Sequence, residues 1–230
     1  MVPTQTTARM AGALYLLSAI AAGVPILFVS ANLIVDGDAA ATATRILAGE
    51  AVFRVCMVSE LAGALLLMLV VRGLHQLLHK VNQAQAGLMV TLVMLSIPIS
   101  FVNVLNEFAA LELLHGAGFL AVFAPAQRDA LALLCLDMHG DGVNLANIFW
   151  GLWLLPFGAM ALQSGILPRL LGAWLILDGL ALVAVSLTGI LAPSALDTAN
   201  RLAIAPELGE LFAMLWLLIR GAKDHPGAPA

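Results

Sequence analysis

Charge is what this sequence has least of. Only 10% of its 230 residues are Asp, Glu, Lys or Arg, where soluble domains carry roughly 25%. A water-soluble fold needs a polar skin, and ten basic plus fourteen acidic residues against 62% hydrophobic ones do not make one. That excludes an ordinary cytosolic enzyme and a disordered chain. The net charge of -4 gives no basic patch for nucleic acid, which is excluded as a partner. Aromatics are scarce, at 6%, and the apolar residues run continuously instead of alternating, which argues against a membrane β-barrel. Cysteine is nearly absent. Cys56 and Cys135 form no C-x-x-C pair or zinc-ribbon spacing, and both read as small hydrophobes, not as a disulfide. No internal repeat and no second domain is visible.

What is present is apolar length. Mean hydropathy is +1.01. A membrane-crossing helix needs about 20 apolar residues, and the chain offers six such stretches, near 8–31, 52–71, 86–115, 143–162, 170–191 and 202–219. The first imitates a signal peptide, with Arg9 before an apolar run and small residues around Ala21 and Ala22. The run continues through Val24 to Val29, so a retained first span is expected. Between the first two spans, Asp38 is placed to cap a short helix containing Arg45, Ile46 and Leu47. Pro98 should kink the third span. Pro125 should start a helix reaching Met138, which Gly140 and Gly142 then interrupt or bend before the fourth span.

The expected architecture is therefore all-α: a polytopic bundle of about six transmembrane helices in one integral membrane domain. An even span count puts both termini on one side. Arg9, Arg72, Lys80, Arg169, Arg220 and Lys223 share that side, against Arg45, Arg54, Arg128 and Arg201 on the other. The bias favours cytoplasmic termini. Twelve of the fourteen acidic residues map to the opposite, outward side; Asp178 and Asp224 are the exceptions.

Four stretches carry a family likeness: Ala8 to Leu16; Gly37 to Ala40 on to Phe53 and Arg54; Leu136 to His139 with Phe149 to Gly151; and Gly209 to Leu211 with Leu215 to Leu218. Together they resemble the bacterial integral membrane family called domain of unknown function 4386, over almost the whole chain. The resemblance implies a multi-pass protein of the bacterial inner membrane. It implies no activity, so it carries over no catalytic residues.

An ionisable residue inside a span costs about 2.5–3.5 kcal/mol, so it faces the protein and needs a partner. The second span carries Arg54 and Glu60. The third has a stripe of Ser96, Ser100, Asn103 and Glu107, with Asn106 beside it. Asp137, Asp141 and Asn144 follow at i, i+4, i+7, with His139 among them and Asn147 beyond. The sixth span brings Glu207 and Glu210; the fifth holds Asp178 alone. At about 1.5 Å per residue, most of these groups fall at one outward level. Glu60, His139 and Glu210 are thus the candidate reactive groups of an outward-facing pocket. Arg54, Asn103, Glu107, Asp137, Asp141, Asn144 and Glu207 are candidates for its wall. Asp178 lies elsewhere in depth and is expected to sit as a hydrogen-bonded neutral group. His75 and His79 share a helical face, but Gln76 stands where a zinc peptidase needs its glutamate, so they read as a solvated or headgroup-facing pair. His115 reads as a helix-end residue favoured by the dipole.

Three function classes remain open from the residues. One is a membrane enzyme using divalent-metal or metal-free acid–base chemistry on a lipid-like or amphiphilic substrate. Another is a proton- or cation-coupled transport or binding protein. The third is a structural membrane subunit whose polar groups join helices. The lipid bilayer is the expected partner in each. The residues specify no oligomeric state and no particular metal.

Overall fold

The structure is a computed structural model that describes residues 4–222. Lys223 and Asp224, counted in the charge distribution above, lie outside the described residues. Seven α-helices are present there: α1 (Thr4–Asn32), α2 (Ala39–Ala48), α3 (Glu50–Leu78), α4 (Gln83–His115), α5 (Pro125–Ser164), α6 (Arg169–Leu191) and α7 (Leu196–Ile219). Short 3-10 turns at Gly118–Val122 and Pro193–Ala195 complete the path. All except α2 are long and apolar enough to cross a membrane. The protein is an all-α, multi-pass membrane protein. Helices suit this setting because they satisfy every backbone group internally where no water can.

The local reasons are legible residue by residue. Asp38 caps α2, its Oδ1 accepting from the Ala41 backbone N–H at 2.9 Å. The Thr42 hydroxyl accepts from the Val35 N–H at 2.9 Å, tying the preceding loop to α2. Gly116 adopts φ of +66° in the left-handed turn that ends α4, and Gly37 adopts +72° in the turn just before α2, neither with a Cβ penalty. Of the two outcomes expected at Gly140 and Gly142, interruption does not occur, for α5 runs unbroken over 40 residues. Gly costs a helix only about 1 kcal/mol, and a broken backbone among apolar side chains costs more. The turn after the second span is also shorter than expected, since α3 continues to Leu78 and α4 resumes at Gln83.

The chain divides into two compact units. The first takes residues 4–18, 65–97 and 144–222 of those described. Its core holds Trp153, with Phe157 stacked on it at 5.6 Å and Tyr15 tilted against it at 5.6 Å. Leu74, Met89, Leu154, Met160, Leu175 and Leu217 are buried with them. Here α5 and α6 approach backbone to backbone. A Cβ on Gly158 would lie 2.6 Å from the Gly172 carbonyl oxygen, and one on Gly179 would lie 2.5 Å from that of Gly151. Trp174 covers Gly209 of α7 and donates its indole N–H to the Ala205 carbonyl at 3.2 Å.

The second unit takes residues 19–64 and 98–143. Its apolar core gathers Val29, Ile46, Phe53, Met57, Val104, Leu111 and Leu136. Cys56 and Cys135 are free thiols that pack into or against that core. The Ser59 hydroxyl donates to the Ala21 carbonyl at 2.8 Å, and Gly63 lies against the Ala22 backbone with no room for a Cβ. Both contacts bring α1 and α3 close together.

Candidate functional site

In the second unit, three helices each deliver one ionisable side chain to a common point. Glu60 comes from α3, Glu107 from α4 and His139 from α5, and all three are buried, at 9%, 1% and 7% exposure. The imidazole lies between the carboxylates: Nε2 is 3.3 Å from Glu60 Oε2, and Nδ1 is 3.7 Å from Glu107 Oε1. One ligand-type atom from each residue lies within 4.8 Å of the others. The remaining oxygens, Glu60 Oε1 and Glu107 Oε2, are buried and have no hydrogen-bond partner among the described residues. Two buried carboxylates thus face a single imidazole. Even a protonated ring leaves one negative charge over.

The surroundings position this cluster without neutralising it. The Asn103 amide donates to the His139 backbone carbonyl at 2.9 Å and accepts from the Asn106 amide at 3.2 Å. Gly142 lets α5 close on that carboxamide, because any Cβ there would overlap Asn103. The arginine nearest in sequence is committed elsewhere. Arg54 pairs with Glu50 at 2.7 Å, and Glu50 also faces His115 at 2.9 Å. The solitary helix-end reading of His115 therefore gives way to a surface ion-pair group with Glu50 and Arg54.

Asp137 and Asp141 are exposed, while His139 between them is buried. Residues two apart on a helix point about 200° apart, so burying the imidazole turns both aspartates outward. Asn144, Glu207 and Glu210 belong to the first unit. The Asn144 amide donates to the Ser186 carbonyl at 3.4 Å and packs on Gly189. Glu207 is exposed on α7. Glu210 accepts a hydrogen bond from the Tyr15 hydroxyl. This partner was not anticipated. The signal was available, since Tyr15 is the one tyrosine in the chain and a buried phenol seeks an acceptor.

Asp178 is fully buried in the same unit beside Glu210 and Glu207, so it shares their level instead of lying apart in depth as expected, and neither of its carboxylate oxygens has a side-chain hydrogen-bond partner among the described residues. No cation pairs with it among the described residues. Asp178→Asn therefore breaks no ion pair, and it should shift the thermal midpoint in detergent by only a degree or two. Asp178→Leu, which removes the polar group, sets the scale. A collapse in both variants alike would show that the position requires a charged carboxylate.

Comparison with known proteins adds one finding. The family model described as domain of unknown function (DUF4386) matches residues 10–221. No curated protein and no solved structure matches the chain.

Proposed function

For a chain that belongs to the DUF4386 family, which brings no activity with it, we propose a divalent-cation-binding function centred on Glu60, Glu107 and His139. One observation carries the reading: three buried side chains converge their ligand atoms within 4.8 Å, with two carboxylate oxygens left unsatisfied. Buried charge that lacks a partner is expensive. Two carboxylates and a neutral imidazole sum to the charge that a divalent cation cancels. Three protein ligands also leave coordination positions for water, the arrangement of catalytic more than structural metal sites. A metal held there would supply Lewis-acid activation of water toward a lipid-borne or amphiphilic substrate. The reading includes the bacterial inner membrane as location, with both termini cytoplasmic and the cluster toward the outer side.

The test is metal analysis of the purified protein. Stoichiometric zinc, manganese or iron is expected in the wild type. It should be lost in His139→Ala and in Glu60→Gln, with helix content and elution volume unchanged. Metal-free wild type, after purification in metal-supplemented buffer, would refute the proposal.

A second reading, proton-coupled transport, is favoured by the ring geometry. The two imidazole nitrogens face different carboxylates, so the ring is placed to pass a proton from one to the other. Proton flux in liposomes that vanishes in Glu60→Gln, without bound metal, would select this reading.

A further inference from the structure

The first unit holds a cleft of about 460 Å³ between α3 and the beginning of α4. Ligand-sized pockets span roughly 300–1,000 Å³. The cleft is graded in polarity along its length. Met68 and Val71 line its deeper part on α3, with Val90 and Met94 facing them from α4. One turn nearer the α3–α4 connection stand Arg72 and His75. Gly87 opens the α4 wall, since no atom lies within 4 Å of the place its Cβ would take.

We propose that this cleft binds an anionic phospholipid of the adjoining leaflet, with its phosphate on Arg72 and His75 and one acyl chain between Met68, Val71, Val90 and Met94. Charge complementarity is the main argument. From Leu61 to Asn106 the sequence contains Arg72, Lys80, His75 and His79 and not one Asp or Glu. Arg72 is exposed and makes no ion pair among the described residues. The His75 ring lines the cleft and is stacked on His79 at 5.5 Å. Basic pockets between membrane helices are the usual receptors for anionic headgroups. The acyl chain itself gains little by leaving other lipid tails, because they are as apolar as the side chains. Selection must therefore come from the headgroup, and the apolar walls hold a tail in register beneath it. The proposal is independent of the metal reading, for it uses no residue of that cluster.

Native mass spectrometry of the full chain can decide it, using phosphatidylglycerol and phosphatidylcholine with identical tails. Wild type should retain phosphatidylglycerol preferentially, by roughly fivefold for each basic side chain engaged. Arg72→Gln should remove most of that preference. Gly87→Phe should reduce retention of the lipid by filling the cleft, with the thermal midpoint unchanged. Glycerol phosphate in solution should not displace the lipid. Equal retention of the two lipids, an undiminished preference in Arg72→Gln, or full displacement by glycerol phosphate would each overturn the proposal.

Discussion

Gly158→Leu is expected to destabilise the protein by about 3 kcal/mol, the upper part of the range for overpacking a close contact. The obstacle is backbone, not a side chain that can swing away. A Cβ at Gly158 meets the Gly172 carbonyl oxygen at 2.6 Å and the Ile176 side chain at 2.8 Å. Gly179→Leu should do comparable damage against the Gly151 carbonyl. The two contacts lie two turns apart on α5 and α6, so one wedge strains both. Close backbone approach is what small residues provide between membrane helices, where no hydrophobic driving force separates helix from lipid. Gly140→Ala is the matched control on the same helix. Its Cβ meets nothing within 4 Å, so only propensity acts, and a gain of about 0.5–1 kcal/mol is expected. Thermal or denaturant unfolding in detergent reads all three. A harmless Gly158→Leu would show that α5 and α6 do not pack as described.

Chelation should lower the stability of the wild type, and Glu107→Gln should reverse the sign of the comparison. Any ligand that binds only the folded state stabilises it, by about 2.7 kcal/mol at a hundred times its dissociation constant. Stripping the metal removes that and leaves two buried carboxylates facing one imidazole. Glu107→Gln lacks a ligand charge, so added metal should stabilise it far less. In the stripped state, however, it no longer has carboxylates opposed across the ring and should unfold later than stripped wild type. The measurement is the thermal midpoint of both proteins with metal and with chelator. Superimposable wild-type curves would sink the metal reading. A stripped Glu107→Gln less stable than stripped wild type would assign Glu107 a structural role.

The spans were legible because about 20 uninterrupted apolar residues have few alternatives to a membrane helix. Of the three groups expected to meet, Glu60 and His139 do, because an ionisable group in such a run must find company, while Glu210 belongs to the other unit and finds its company in Tyr15. The spacing of Asp137, Asp141 and Asn144 gave a face of α5 but not the direction of that face. Burial of His139 turns the two aspartates outward. Glu107 was expected at the wall and stands beside the ring instead, since its distance from Nδ1 depends on how α4 and α5 pack. Local propensity alone marks Gly140 and Gly142 as places where the helix is interrupted or bent. In the structure Gly140 faces open space, and Gly142 makes room for the Asn103 amide, a tertiary role that no local rule contains. Tyr15 was overlooked because a phenol in an apolar run counts as a hydrophobe until its acceptor on α7 is known.

The unbroken length of α5 bears on how an ion would arrive. Forty residues extend about 60 Å at helical rise, twice the hydrocarbon thickness of about 30 Å. Roughly half of the length of α5 therefore exceeds what the hydrocarbon can cover. His139 meets Glu60 and Glu107 within 4.8 Å, and those glutamates stand well inside the ends of α3 and α4, so the three share a level about 12–15 Å from those ends. A cation reaching the buried imidazole would have to shed part of its hydration shell before the protein ligands replaced it. Its entry rate would then be set by dehydration and by the surface potential of the membrane.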